Sequence, residues 1–221
     1  MVVLQKWSIS LAATAIAVAI AFLWLDKPVA FFAHGTFAQA PVFVNLTLLP
    51  EPLMPLSISI LFALGLWALA GQPLNKPLSV ALLCSVSLVV AEACKNELKY
   101  IFGRTWPETW INGNPSLIHD GAYGFNFFHG GQGYASFPSG HTTAVCAVVS
   151  VLWICYPRFR ILYAAVVAAV VIGLIGADYH FLSDIIAGGF VGTTTGWFAV
   201  LLRGEEIKKP STQERPIGFL H

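Results

Sequence analysis

The chain has 221 residues, 57% of them hydrophobic and only 10% charged. Soluble domains carry about 25% charged residues, so an ordinary water-soluble enzyme is excluded. A formal net charge of +1 with no basic stripe excludes a nucleic-acid binder.

The first uncharged run, residues 7–25, holds 19 residues, close to the roughly 20 needed to cross a bilayer. Lys6 precedes it as in a signal peptide, but the apolar core is too long and no small-x-small cleavage site follows. It is therefore expected to stay as an anchor. Residues 29–49 are apolar but broken by His34, Gly35, Pro41 and Asn45. They predict one or two short interfacial or re-entrant pieces rather than a crossing. A second span falls within residues 52–75, and a third starts at Pro77 and ends near Phe102. Residues 141–156, 161–177 and 185–202 supply three more. The predicted fold is all-α, a polytopic membrane helix bundle of about six transmembrane helices over residues 1–202. A polar tail, residues 203–221, follows on the cytoplasmic face. Cys84, Cys94, Cys146 and Cys155 lie in or beside these spans without metal-ligand or redox spacing, and read as small buried hydrophobes.

Positive charge sets the orientation. Six spans put Lys6, Lys76, Arg158, Arg160, Arg203, Lys208, Lys209 and Arg215 on one side, and Lys27, Lys95, Lys99 and Arg104 on the other. Eight cations against four predict that both termini are cytoplasmic. Three of the four minority cations lie within ten residues of one another, which suggests a task beyond topology. The long polar segment between the third and fourth spans, residues 103–138, is rich in Gly, Pro, Asn, Trp and Phe. It predicts an ordered loop with turns at the headgroup level.

Three elements carry chemistry, and all fall on that minority side. The stretch FPSGH, ending in His141, puts Ser139 and Gly140 at the start of a helix. Unpaired N–H groups and the helix dipole make an anion site there. His180 and Asp184 are four apart, so on a helix they share a face. A carboxylate on one ring nitrogen fixes the tautomer and leaves the other nitrogen nucleophilic. Lys99 and Arg104 close the third span and are donors suited to an oxyanion. Each element also has a plain reading: a capped helix with an interfacial histidine, a satisfied His–Asp pair, or a structural ion pair of Lys95 with Glu92 or Glu97. Together they supply what phosphoryl transfer through a phosphohistidine requires: a nucleophile, a proton donor and cationic stabilisation of the phosphoryl oxygens.

The three elements, in this order, resemble the type 2 phosphatidic acid phosphatase and vanadium haloperoxidase superfamily. Its pattern is Lys, six residues, Arg-Pro; then Pro-Ser-Gly-His; then Arg, five residues, His, three residues, Asp. Pro138-Ser139-Gly140-His141 matches the middle block, His180 and Asp184 the last, and Lys99 with Pro107 the first. The likeness covers roughly residues 95–188 and agrees with the membrane branch of the family. It implies that His180 is the nucleophile, Asp184 its orienting partner and His141 the general acid. It also implies that Lys99, Arg104, Ser139 and Gly140 bind phosphate, without a metal or other cofactor. Two positions depart from the pattern: Trp106 and Leu174 stand where arginines are expected. Arg104 is two positions from the first gap, while Lys95, His119 and His129 are further candidates to supply charge.

The implied activity is hydrolysis of a lipid phosphate or isoprenoid diphosphate at the extracytoplasmic surface, in a bacterial inner membrane with the site facing the periplasm. Two alternatives share the same residues: a lipid phosphotransferase, and a lipid-phosphate binding or transport protein that retains the fold.

Overall fold

A computed structural model of the chain describes residues 2–37, 40–110 and 113–203. Among these residues nine α-helices occur and no strand, only three isolated β-bridges. The polar tail beyond Arg203 lies outside the described residues. Four helical segments are long and apolar enough to cross a membrane, and two shorter apolar helices accompany them. The count of about six is met, and the chain is an integral membrane protein.

The first rod is longer than expected. Helix α1 (Val2–Ile20) runs through a π-helical stretch, Ala21–Leu25, directly into α2 (Asp26–Phe37). Residues 29–37 therefore prolong the first helix instead of forming a separate interfacial piece. The reason lies at Pro28, which has no N–H to give and whose ring crowds the carbonyl one turn back. The widened π turn immediately before it absorbs that mismatch, so the helix continues. The second half of the segment is short, as expected. Helix α3 (Pro41–Thr47) lies so close to the later helix α8 that a Cβ on Gly173 would come within 2.7 Å of Leu46 Cβ.

Helix α4 (Leu53–Leu69) descends, and α5 (Lys76–Phe102) returns. Asn75 caps α5, its side chain accepting the Leu78 N–H at 3.0 Å. Gly103, at φ 53°, ends the helix in the left-handed region that favours glycine. The segment that follows is ordered, as its turn residues predict. It contains the short helix α6 (Leu117–Asp120), capped by Ser116. Bridges pair Arg104 with Phe125 and Ala135, and Trp106 with Ser116. The rings of Phe102, Phe125 and Phe137 pack at 4.9–5.6 Å between centroids beneath it.

Helices α7 (Gly140–Cys155), α8 (Arg160–Gly176) and α9 (Leu182–Leu202) complete the bundle. The α7–α9 contact positions the site. Gly188, Gly192 and Gly196 make a stripe along α9, and a Cβ on Gly192 would stand 2.3 Å from the Thr143 carbonyl oxygen. Small residues let backbones approach closely where lipid offers no hydrophobic drive between helices. The Ser139 N–H reaches the Asp184 carbonyl at 3.0 Å, locking the start of α7 to the start of α9. Leu174, at a position where the resemblance expects arginine, is fully buried in an apolar cluster with Val145, Cys146, Val170 and Ile185.

Candidate active site

The loop-bearing end of the bundle gathers the start of α7, the segment before α9, the end of α5 and the turn before α4. A cavity of about 300 Å³ lies there, lined by Lys95, Lys99, Trp106, Gly140, His141 and His180, together with Glu51, Glu92 and Met54. His141 is on α7, while His180 lies in the bend just before α9 and not on the helix expected to carry it with Asp184. The two ring centroids are 6.0 Å apart and their planes are inclined by 67°.

His180 Nδ1 faces Asp184 Oδ2 at 3.5 Å, so its Nε2 is the nitrogen left to the cavity. The side chain is 2% exposed. Burial lowers its pKa to about 4, against the opposing pull of the Asp184 carboxylate, so the imidazole is neutral at pH 7. Asp184 is held from several sides. Its Oδ2 accepts the Ser136 hydroxyl at 2.6 Å and the Phe181 N–H at 3.0 Å, and its Oδ1 accepts Arg104 Nη1 at 2.5 Å. The Asp184–Phe181 bond is also the carboxylate half of a capping box, so one side chain both starts α9 and backs the histidine.

His141 is the second residue of α7. The first N–H groups of that helix, those of Gly140 and His141, have no carbonyl one turn below them to bond; both residues line the cavity, where such groups suit an anion. The Lys99 ammonium reaches the Ala135 carbonyl and stands 5.5 Å from the Trp106 ring centroid. Lys95 pairs with Glu92 at 2.5 Å and lies against Gly140, where a Cβ would meet its Cδ at 3.4 Å.

Two expected phosphate ligands are placed differently. Arg104 is fully buried behind Asp184, away from the cavity. Its guanidinium binds Asp184 and, through Nη2 at 2.7 Å, Asp26 on the first helix. Its backbone is bridged to Phe125 and Ala135, and its side chain lies inward, where two buried carboxylates need a cation. Burial works against its charge, but Asp184 and Asp26 overcome that and hold it above the usual guanidinium range. Ser139 is also fully buried. Its hydroxyl accepts the Thr142 N–H at 3.4 Å and the Thr142 hydroxyl at 3.2 Å, so it caps α7 instead of facing the cavity.

Of the substitute cations considered from sequence, Lys95 alone among the described residues lines the cavity. His119 is exposed and paired with its neighbour Asp120, while His129 bonds the Gly130 carbonyl. Sequence reading missed Glu51, whose Oε1 is 3.4 Å from His141 Nε2, and Asp26. A lone carboxylate inside an apolar run was the available signal for Asp26, since such residues default to function. Trp106 lines both the first cavity and a second one of about 330 Å³, shared with Trp110, Asn114, His141 and Tyr179. Among the described residues no group of three or more His, Cys, Asp or Glu is arranged to hold a metal.

A family model described as the PAP2 superfamily matches residues 80–208. The chain belongs to that superfamily. The matched segment holds the ends of α5, α7 and α9 that meet at the cavity. Two curated relatives are named lipid A 1-phosphatase. The one from Rhizobium etli is 34% identical over 120 residues, covering 52% of this chain and 45% of the relative. The one from Rhizobium johnstonii is 33% identical over 120 residues, covering 52% and 43%. The aligned part of the chain thus spans less than half the length of the relatives it matches. No solved structure matches the chain.

Proposed function

We propose that the protein is a membrane phosphatase that hydrolyses a lipid phosphate through a phosphohistidine, with the site on the extracytoplasmic face and both termini in the cytoplasm. The observation that carries this reading is the facing pair of imidazoles, 6.0 Å apart, one backed by a carboxylate and both beside two lysines at a helix start.

The chemistry follows from the positions. The neutral His180 Nε2 attacks phosphorus, forming an N–P bond, while the P–O bond to the lipid breaks. His141 gives its proton to the departing oxygen. Lys99, Lys95 and the N–H groups of Gly140 and His141 balance charge on the phosphoryl oxygens. Water then attacks phosphorus, His141 takes the water's proton, the N–P bond breaks and phosphate leaves. In-line displacement puts the leaving group opposite His180, on the His141 side. The second cavity opens there, walled by Trp106, Trp110 and Tyr179. The names of the relatives make a lipid A phosphate the first substrate to try.

The test is phosphate release by purified protein from phosphatidic acid, phosphatidylglycerol phosphate, undecaprenyl diphosphate and lipid A. Release by the native chain that persists in chelator and disappears in His180→Ala supports the proposal. The loss of both expected arginines, to Trp106 and to the buried Leu174, favours one other reading, a lipid-phosphate binder. Binding without turnover across the whole panel would establish that instead.

A further inference from the structure

Asp26 lies outside residues 80–208 and outside all three motifs, yet it reaches the nucleophile's supports. It is 1% exposed, and Arg104 and Asp184 are 0% exposed. Its Oδ1 accepts the backbone N–H of Ser183 at 2.9 Å, so a residue of the first helix caps the first turn of α9. Its Oδ2 accepts Arg104 Nη2 at 2.7 Å, the Ser183 hydroxyl and the Tyr123 hydroxyl, the last at 3.2 Å. Arg104 is thus divided between two carboxylates, Asp26 on one side and Asp184 on the other.

That division has a chemical consequence. Arg104 against Asp184 alone would form a neutral pair, leaving no net negative charge to support His180 as it gains positive character on bonding to phosphorus. With Asp26 present, the three buried groups sum to one negative charge next to the ring. We propose that Asp26 is a positioning residue for the nucleophile: it shares the Arg104 charge with Asp184, so that Asp184 is not fully neutralised and holds His180 with Nδ1 protonated and Nε2 bare toward the cavity. This rests on the phosphatase reading for its catalytic effect, but not for its effect on the ring.

The test uses D26N, which keeps shape and removes charge, and the double variant D26N/R104Q, which restores one net negative charge. D26N is expected to lower kcat by about 10- to 100-fold, the range for losing a hydrogen bond between charged groups, with KM unchanged. The double variant recovers most of that loss, although it has fewer hydrogen bonds than either parent. Nitrogen-15 spectra of the His180 ring give a second readout. D26N moves the population from the Nδ1–H toward the Nε2–H tautomer, and the double variant moves it back. S183A, which removes the hydroxyl shared by Asp26 and Arg104 without altering charge, shifts the ring in the same direction by less, and decides the matter should D26N not fold. A folded double variant no better than D26N, or a ring unmoved in S183A, overturns the proposal; should the double variant not fold, the ring shifts of D26N and S183A decide alone. Native protein that turns over no lipid, yet shows these ring shifts, refutes the phosphatase reading alone.

Discussion

Arg104→Met separates two roles that the same residue could play. Were Arg104 a phosphate ligand, the variant would fold normally and bind substrate weakly. Its placement predicts the opposite order of effects. Asp26 and Asp184 are both buried, with Arg104 bonded to them at 2.7 and 2.5 Å. Removing the shared cation strands two carboxylates at once. Breaking a buried pair by deleting one partner costs about 3–5 kcal/mol, a large part of the roughly 5–15 kcal/mol that holds a domain folded. At roughly 2–4 °C per kcal/mol for a chain of this size, the thermal midpoint in detergent should fall by roughly 6–20 °C. The assay is a thermal aggregation series on purified protein, run beside His180→Ala, which removes a side chain from the cavity without stranding a charge. A wild-type midpoint for Arg104→Met, with only the KM raised, would refute the buried-clamp assignment and return Arg104 to the phosphate.

Nitrogen-15 titration of the His180 ring should give a midpoint near 4, because burial favours the neutral form. Since the folded value lies below the free-histidine value of about 6.5, the unfolded chain takes up the proton first, and stability should decline as pH falls from about 6.5 toward 4. A midpoint at or above 6.5 contradicts this. Lys99→Ala should reduce kcat/KM roughly 10- to 100-fold, as expected for hydrogen bonds to a charged group worth about 1.5–3 kcal/mol. Lys95→Ala should do less, because Lys95 is already paired with Glu92; equal losses would refute that ranking. Gly192→Ala drives a Cβ to 2.3 Å from a backbone oxygen of α7, and overpacking of this kind costs about 1–3 kcal/mol. It should lower both the thermal midpoint and turnover, while Gly65→Ala, with nothing within 4 Å, should change neither.

The helices were legible because long uncharged runs leave few other solutions in a membrane. The ends of α5 and the start of α7 were legible because their caps are local: Asn75, Gly103 and Ser139 act within a turn of themselves. By contrast, α9 begins three residues earlier than its apolar run predicts, where the distant Asp26 caps it. The pairing of His141 with His180 was also readable, since spacing and topology put both at one end of the bundle. What escaped depends on distant partners. Arg104 is two positions from the arginine the pattern expects and reads as a phosphate ligand, and only its ion pairs with the distant Asp26 and Asp184 show that it turns inward. Ser139 was read as both cap and ligand, and the cap takes the hydroxyl. Asp26 needed a partner 78 residues away to explain it. Residues 29–37 read as part of a broken segment, because the π turn that carries the first helix past Pro28 cannot be read from hydropathy.

The central claim is that His180 carries the phosphoryl group. The most direct measurement is to quench the protein in alkali during turnover of a labelled lipid phosphate and locate the label by peptide mass spectrometry. Phosphate on His180, stable to alkali, lost in acid and absent from His180→Ala, is the predicted result. Turnover with the label on Asp184, or on no residue of the chain, would contradict the account.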